Sequence, residues 1–238
     1  MVVDLLNASG EWERSLPEHQ HYRRRAVLAA LCIAGPRISE LTNAPRARLD
    51  LYGGRLRVGE AKTEAGLRDL ELTAFLLDEL RTHLGAIPAK LRESHGPAMP
   101  VFPTGTGGRL SASNVRNRLL NETVRRVNKR RAKAGRMLLP ERVTPHTLRR
   151  TFASLALAAG RDPRWVMAQL GHTDARLTLN LYAQVMQRQR VDEALIWQLM
   201  RFPDEPRERR SGRAFETKIE TTDASTAPAR QKSSSGSH

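Results

Sequence analysis

Paired helix-start signals and glycine stops divide the second half of this 238-residue chain into short helices. Thr144-Pro145 and Asp162-Pro163 each join a capping side chain to a proline, which suits the first helical position because its missing N–H is not needed there. Gly160 and Gly171 follow as stop signals. Apolar alternation is clear only within residues 48–72, around a Gly-Gly turn. The sequence therefore predicts a mainly α fold (α+β) with a small three-stranded antiparallel sheet.

Apolar periodicity predicts where the other helices lie. The segments expected to be helical are 2–14, 22–34, 73–84, 111–133, 144–159, 162–170 and 191–200. A further short helix is expected to begin at Pro36 and to carry Arg37 and Glu40. Residues 87–106 are rich in Pro and Gly, and we expect them to be irregular.

Cysteine content and apolar runs limit the compartment and the domain plan. Cys32 is the only cysteine, which excludes an intrachain disulfide and a cysteine-based zinc site, and its apolar neighbours indicate a core residue. That apolar run is too short to span a bilayer and no signal peptide follows Met1, so we expect a cytoplasmic protein without a membrane segment. The predicted folded domain covers residues 1–202, and the polar residues 203–238 are expected to form a disordered tail.

The charge balance is the strongest global signal. Forty Lys and Arg residues against 25 Asp and Glu leave a formal net charge of +15, with a sequence pI near 11.2. A well-solvated basic surface has the same composition, but an excess this large more often marks a polyanionic partner. Nucleic acid is the obvious candidate, because neutralising phosphates releases counterions and gives affinity without sequence readout.

The segment Thr144–Phe152 carries the most chemical information. His146 and Arg149 are three residues apart and project from one face of the predicted helix, in or near its first turn. Unpaired N–H groups and the helix dipole favour an anion there. A histidine and an arginine aimed at one point form a phosphate clamp, although a solvated basic helix start explains this segment alone equally well.

Two further residues with reactive side chains follow this segment. His172 stands just beyond the predicted stop at Gly171, and Tyr182 comes ten residues after His172. Taken separately, a histidine after glycine is usually a surface or capping residue, and a tyrosine between leucines is usually part of a core. Their order in the chain, after His146 and Arg149, gives them more meaning than either has alone.

In combination these residues resemble a known signature. The pattern H-x-L-R (residues 146–149), then L-G-H (170–172), then Tyr182 is similar to the C-terminal motif of tyrosine site-specific recombinases such as phage integrases and Xer-type resolvases. Gly35–Leu41 resembles that family's first-arginine box. Ala61-Lys62-Thr63 falls in the predicted hairpin loop, where the family keeps its catalytic lysine.

The resemblance implies a catalytic set made of Arg37, Lys62, His146, Arg149, His172 and Tyr182. Tyr182 would attack the scissile phosphate, giving a 3′-phosphotyrosine and a free 5′-hydroxyl. Arg37 and Arg149 would hold the non-bridging oxygens, and the two histidines would donate further hydrogen bonds. Lys62 would protonate the leaving oxygen. Neither a metal ion nor another cofactor is expected, since preorganised cations can stabilise the charge of the transition state.

The remaining expectations concern positioning and DNA contacts. Glu40, one turn from Arg37, is predicted to orient that arginine rather than to react. Contacts to the DNA backbone are predicted for Arg109, Arg125, Arg126, Lys129, Arg130 and Arg150. The partner is expected to be double-stranded DNA, bound by a tetramer on paired sites that assembles through the helix 191–200.

Three interpretations of the whole chain remain open at the level of sequence. The first is a recombinase or integrase. The second is a type IB topoisomerase, which shares the chemistry and acts as a monomer. The third is a DNA-binding remnant or regulator without recombination activity, because relatives carry an N-terminal core-binding domain that we expect to be absent here.

Overall fold

A computed structural model describes residues 1–20, 23–59, 67–171 and 193–203 of the chain. Most of these residues are helical, as predicted. The α-helices are α1 (Val2–Arg14), α2 (Arg24–Ile33), α3 (Ile38–Asn43), α4 (Ala74–Ala86), α5 (Ala89–His95), α6 (Ala112–Asn114), α7 (Asn121–Lys133), α8 (Pro145–Ala158), α9 (Pro163–Leu170) and α10 (Glu193–Met200). The other helical segments are three short 3-10 helices and a π-helical stretch between α6 and α7, at Glu18–Gln20, Arg46–Arg48, Gly96–Ala98 and Val115–Leu120.

The predicted three-stranded antiparallel sheet is confirmed. Its strands, in sheet order, are β1 (Leu49–Asp50), β2 (Arg55–Gly59) and β3 (Leu67–Glu71). The register of β2 and β3 sets Leu56 opposite Leu70. Because side chains alternate across a strand, Leu56, Val58 and Leu70 are buried while the two arginines of β2 are exposed.

Helix α2 lies at the centre of the fold. Every residue from Ala26 to Ile33 is buried, and the helix packs against α1, α4 and α8. A helix that is apolar around its whole circumference needs such cover on all sides. The predicted core position of Cys32 is confirmed, and burial raises the pKa of its thiol to about 12, which keeps it protonated.

The prediction that a helix begins at Pro36 is wrong. Helix α3 begins at Ile38, and Arg37 is its N-cap residue with an extended backbone (φ −69°, ψ 148°). The backbone N–H of Arg37 donates to Oε2 of Glu40 at 2.7 Å, as the third residue of a capping box accepts from the N-cap. The Glu40 carboxylate therefore decides where the helix starts, and Pro36 stays outside it.

Helix α5 corrects the expectation that residues 87–106 are irregular. This segment includes the helix Ala89–His95, whose apolar contact to the rest of the fold is Leu91. Leu91 packs on a small cluster separate from the main core, formed by Leu84, Ile87 and Met99. A helix of this length with a single apolar anchor shows no periodicity in the sequence, so pattern analysis misses it.

Helix α10 confirms the predicted final helix over the residues that the structure describes. Ile196, Leu199 and Met200 are buried, and the helix packs against α4 and α8. Just beyond it, Phe202 meets Trp165 of α9 edge to face, with ring centroids 5.5 Å apart. The apolar face of α10 is thus covered by its own chain.

Two further expectations concern a membrane segment and the C-terminal tail. Among the described residues, no helix has the length and apolar character that crossing a bilayer requires. The predicted tail lies outside the described residues from residue 204 onward.

His83 of α4 is a polar side chain inside the core. It is 3% exposed and stacks on Phe102, with ring centroids 5.1 Å apart. Its Nδ1 lies 3.0 Å from the backbone nitrogen of Arg23, and its Nε2 lies 2.7 Å from the carbonyl oxygen of Val101. Because an N–H donates and a carbonyl accepts, the neutral ring with its proton on Nε2 satisfies both partners. Burial lowers the pKa of His83 to about 4.

We expect His83 to make the fold sensitive to acid. Its pKa of about 4 lies below the ordinary 6.5, so the unfolded chain takes up this proton first as the pH falls. The neutral ring contributes fully to stability above about pH 6.5, and this contribution is lost as the pH falls towards 4. Urea denaturation on both sides of pH 6.5 should show a smaller pH-dependent loss of unfolding free energy in His83→Gln than in the wild type.

The control for this measurement is His95→Gln, which removes an exposed histidine of α5. This variant should keep the wild-type dependence on pH. Identical pH dependence in the wild type, His83→Gln and His95→Gln would contradict the assignment of acid sensitivity to His83.

Candidate active site

Three arginine side chains converge on the last carbonyl groups of α9. The acceptors are the successive carbonyl oxygens of residues 169–171, where Gly171 ends the helix in the left-handed conformation (φ +64°). Arg68 Nε donates to the first at 3.1 Å, Arg149 Nη2 donates to the second, and Arg37 Nη2 donates to the third at 3.0 Å. The carbonyl end of a helix is partially negative and favours cations. The helix end therefore gathers three guanidinium groups from distant parts of the chain.

Arg149 projects from α8 into this cluster and is almost completely buried. It is 6% exposed, and its Nη1 donates to the carbonyl oxygen of Gly35 at 2.6 Å. Burial lowers the pKa of Arg149 to about 10, and the nearby charges of Arg37 and Arg68 act in the same direction. The group still carries its charge at neutral pH, held by carbonyl groups that do not cancel it.

Arg37 is held at the entrance of the cluster by Glu40. The side chain of Arg37 is half exposed, and its Nη1 donates to Oε1 of Glu40 at 2.8 Å. Burial alone would raise the pKa of Glu40, but hydrogen bonds from Arg68 and Arg37 outweigh it and keep that pKa below its usual value. Glu40 is therefore ionised and contacts Arg37, and its role as an orienting group stays a prediction.

Arg68 is the member of the cluster that sequence reasoning missed. Its Nη1 and Nη2 donate to the two oxygens of Glu40 at 2.7 and 2.9 Å. One signal could have revealed it. Arg68 shares a face of β3 with the buried Leu70, and Leu72, which follows the strand, is buried as well. A cation at an inward-facing strand position needs a partner inside the fold.

The first turn of α8 confirms the predicted helix start. Thr144 is the N-cap, its hydroxyl accepts from the backbone N–H of Thr147 at 3.1 Å, and Pro145 occupies the first helical position. His146 follows Pro145 and is exposed, three residues before Arg149 on the same helix. Its ring is therefore accessible from solvent.

Three members of the predicted catalytic set lie outside the described residues: Lys62, His172 and Tyr182. The structure thus brings together Arg37, Arg149 and Glu40, and it adds Arg68. Within the described ranges, no group of three or more His, Cys, Asp or Glu side chains is arranged to hold a metal ion.

The basic face of α7 is partly paired with acidic side chains of its own chain. Glu122 forms ion pairs with both Arg125 and Arg126, and Arg130 forms one with Glu11 of α1. The guanidinium of Arg126 also lies over the ring of Trp12, 5.0 Å from its centroid. The other predicted DNA contacts, Arg109, Lys129 and Arg150, have exposed side chains. Assignment of these six residues to DNA stays a prediction.

Comparison with known proteins identifies the family. The model of the phage integrase family matches residues 2–189, from α1 to beyond Tyr182. The chain belongs to this family. The resemblance first seen in the motifs is thereby confirmed, and it extends over α1 and α2, where the motifs gave no information.

Curated relatives of the chain are tyrosine recombinases named XerC. The protein from Azotobacter vinelandii is 34% identical over 156 residues, which cover 66% of this chain and 46% of that protein. The protein from Pelotomaculum thermopropionicum is 32% identical over 153 residues, covering 63% of this chain and 46% of that protein. The chain spans about half the length of the curated relatives it matches.

Solved structures with the same fold are also recombinases. The crystal structure of XerA recombinase has a TM-score of 0.58 at 22% identity and covers 80% of this chain and 64% of its own. The XerH site-specific recombinase bound to palindromic difH substrate has a TM-score of 0.56 at 21% identity, covering 80% of this chain and 50% of its own. At these identities the similarity establishes the fold, and it agrees with the mainly α architecture described above.

Gly35 allows the close packing behind Arg149, and this can be tested. It has φ +65°, and a Cβ there would lie 2.8 Å from Cγ of Phe152. Gly160 has a similar φ of +79° but open space around it. We expect Gly160→Ala to lose about 1–2 kcal/mol of unfolding free energy from backbone strain alone. Gly35→Ala should lose about 1–3 kcal/mol more, because the new methyl group displaces Phe152.

Thermal or urea unfolding of both variants measures this difference directly. Equal losses in Gly35→Ala and Gly160→Ala would show that the space beside Phe152 does not constrain the site. A larger loss in Gly160→Ala would contradict the packing argument outright.

Proposed function

We propose that this chain cleaves and rejoins DNA as a tyrosine site-specific recombinase or integrase, through a 3′-phosphotyrosyl intermediate on Tyr182. One observation carries the proposal. Arg37 and Arg149, from the two arginine motifs of the family, donate to adjacent carbonyl groups at the end of one helix although they are far apart in sequence. Two fixed guanidinium groups side by side form the kind of site that binds a phosphodiester.

The arrangement suits the charge that develops during phosphoryl transfer. A phosphodiester under attack accumulates negative charge on its non-bridging oxygens, and cations already in place stabilise it without reorganisation. Arg37 is half exposed and offers its outer edge to solvent, whereas Arg149 is buried and reinforces the field from behind. Among the described residues, the carboxylate paired with Arg37 is that of Glu40, and Arg149 donates to two carbonyl groups.

The proposed reaction is a pair of transesterifications with balanced atoms. The phenolic oxygen of Tyr182 attacks the phosphorus while its proton passes to His146, forming the tyrosyl phosphate and breaking the bond to the 5′-oxygen. Lys62 supplies the proton for that leaving oxygen, while His146 and His172 donate hydrogen bonds to the phosphate. Attack by a 5′-hydroxyl reverses these steps and releases Tyr182. One phosphodiester is exchanged for another, so no external energy source is required.

The proposed partner is double-stranded DNA. The net charge of +15 favours a polyanion, and the solved XerH structure named above contains a recombinase bound to its difH substrate. We propose backbone contacts at the six basic residues predicted from the sequence. Exposed Arg109, Lys129 and Arg150 are the first to test, because acidic groups of the chain already pair with Arg125, Arg126 and Arg130. Such a reaction would take place in the cytoplasm, as the sequence predicts.

Assembly as a tetramer through residues 191–200 is part of the proposal and has a structural consequence. The face formed by Ile196, Leu199 and Met200 packs on α4 and α8 of the same chain. Docking that face on a neighbour would require α10 to leave this position, and an equivalent helix from another subunit would have to replace it. An exchange of identical helices satisfies both requirements at little cost in buried area.

The test of the chemistry is a covalent adduct on Tyr182. The chain is incubated with a library of nicked suicide duplexes of randomised sequence, in which the cleaved fragment diffuses away and traps the intermediate. We expect a protein–DNA adduct that survives SDS, that forms in excess EDTA, and that Tyr182→Phe does not form although it still binds DNA. An undiminished adduct in Tyr182→Phe would refute the nucleophile, and a strict requirement for Mg²⁺ would indicate a nuclease mechanism.

The test of the phosphate clamp replaces each arginine with lysine. Arg37→Lys and Arg149→Lys keep the charge but lose the planar fork, so single-turnover cleavage should fall by about 10²-fold or more. Arg81→Lys, at an exposed position of α4, is the control and should cleave at the wild-type rate. Normal cleavage by both clamp variants would show that Arg37 and Arg149 are structural.

A further inference from the structure

Arg68 of β3 lies at the junction of the elements that build the arginine cluster. Each of its three guanidinium nitrogens donates a hydrogen bond inside the fold: Nη1 and Nη2 to the Glu40 carboxylate at 2.7 and 2.9 Å, and Nε to the carbonyl oxygen of Gln169 at 3.1 Å. The side chain is 17% exposed, against 50% for Arg37. Arg68 therefore faces the protein, whereas Arg37 faces solvent.

A second contact connects Arg68 with the peptide that holds Arg37. A Cβ added to Gly171 would lie 3.0 Å from Cζ, Nε and Nη1 of Arg68, so the glycine packs directly on the guanidinium plane. The carbonyl oxygen of Gly171 is the acceptor for Arg37 Nη2 at 3.0 Å. If Arg68 moved, the Gly171 peptide would lose the guanidinium it packs on, and the Glu40 carboxylate would lose two hydrogen bonds.

The end of α9 is also tied to β3 near Arg68, through hydrogen bonds between the side chain of Gln169 and the main chain of Glu71. The side-chain amide of Gln169 donates to the carbonyl oxygen of Glu71 at 2.9 Å and accepts from the Glu71 backbone N–H at 3.1 Å. Gln169 is buried, so both of these bonds are protected from water. These two bonds join the end of α9 to β3 close to the position of Arg68.

We propose that Arg68 is a positioning residue for the phosphate clamp. The inference rests on the proposed function and adds a residue to it. Arg68 acts on Arg37 along two routes, by holding the Glu40 carboxylate and by supporting the Gly171 peptide. Arg68 need not touch the phosphate for this role, because both routes run through protein groups.

The charge balance predicts what the loss of Arg68 does. Glu40 is 10% exposed and would be left with Arg37 as the guanidinium that neutralises it. Its carboxylate would then turn to bind Arg37 with both oxygens, because two parallel hydrogen bonds are the preferred geometry of this pair. Arg37 would be drawn away from the phosphate, and its charge would be largely cancelled. Cleavage should suffer more than DNA binding, which is spread over many phosphates.

The experiment compares Arg68→Met and Arg68→Lys with a matched control in the full chain. The control is Arg57→Met on the neighbouring strand, where Arg57 also forms a two-bond pair with a carboxylate, at 2.8 and 3.2 Å from Asp69, but is 58% exposed. Three quantities are measured: the single-turnover rate of adduct formation on the nicked duplex library, the Kd for the same library, and the melting temperature.

We expect Arg68→Met to slow adduct formation by about 10- to 100-fold, the range for displaced catalytic groups and outer partners. Its Kd should stay close to the wild-type value. Arg68→Lys should be intermediate, because an ammonium can reach one oxygen of Glu40 but not both. Arg57→Met should match the wild type in every measurement.

A double-mutant cycle separates positioning from a general structural role. If Arg68 acts through Arg37, then Arg68→Met should cost much less in an Arg37→Lys background than in the wild type. Fully additive losses would overturn the proposal, since they would show that Arg68 acts independently of Arg37. Loss of folding in both Arg68→Met and Arg68→Lys would also overturn it, because Arg68 would then be a structural residue.

These outcomes are distinct from a failure of the proposed function. A wild-type chain that forms no adduct with any duplex would refute the function itself. A wild-type chain that forms the adduct, beside an Arg68→Met variant that forms it at the same rate, would refute only the role of Arg68.

Discussion

The last carbonyl groups of α9 are the structural element on which the site depends. They accept hydrogen bonds from Arg37, Arg68 and Arg149, which come from the start of α3, from β3 and from α8. A helix C-terminus leaves its carbonyl groups without partners inside the helix, and the aligned peptide dipoles make this end attractive to cations. The carbonyl groups that lack partners within α9 therefore bind side chains from three distant segments of the chain.

A guanidinium that is paired with carbonyl groups keeps its positive charge, whereas a carboxylate partner would neutralise it. A buried guanidinium is costly unless its N–H groups are bonded, and carbonyl oxygens satisfy that need without cancelling its charge. Arg149 is the clearest example, since its two bonds are made to the carbonyl groups of Gly35 and Leu170. Glu40 is placed between Arg37 and Arg68, so one negative charge is shared by two cations. The cluster keeps a net positive charge in a partly buried place, which is what a phosphate requires.

The basic surface of α7 shows the opposite arrangement. Its arginines pair with carboxylates of α7 and α1, through Glu122 and Glu11, and Arg126 stacks on Trp12. The pair with Glu11 and the stacking on Trp12 connect α7 to α1, and the ion pairs reduce the positive charge that α7 can offer to an anionic partner. Net charge thus predicts the kind of partner, whereas the distribution of counter-charges decides which residues are available to it.

The sequence by itself determined the helical segments with strong caps, the sheet and the two arginine motifs. Thr144, Pro145 and Gly171 act within a few residues of where they stand, so their effect can be predicted without knowing the fold. The motifs around Arg37 and Arg149 were recognisable because residue type and order alone define them. Lys62, His172 and Tyr182, predicted in the same way, lie outside the described residues and stay predictions.

The tertiary structure alone decided how these pieces meet. The start of α3 depends on the Glu40 carboxylate rather than on Pro36, and α5 depends on a single apolar contact through Leu91. The role of Arg68 arises from partners 28 and 101 residues away in sequence, which no local pattern connects. Local signals determine where a segment begins and ends. Which side chains share a buried site depends on long-range packing, because only that packing sets which acceptors a desolvated cation can reach.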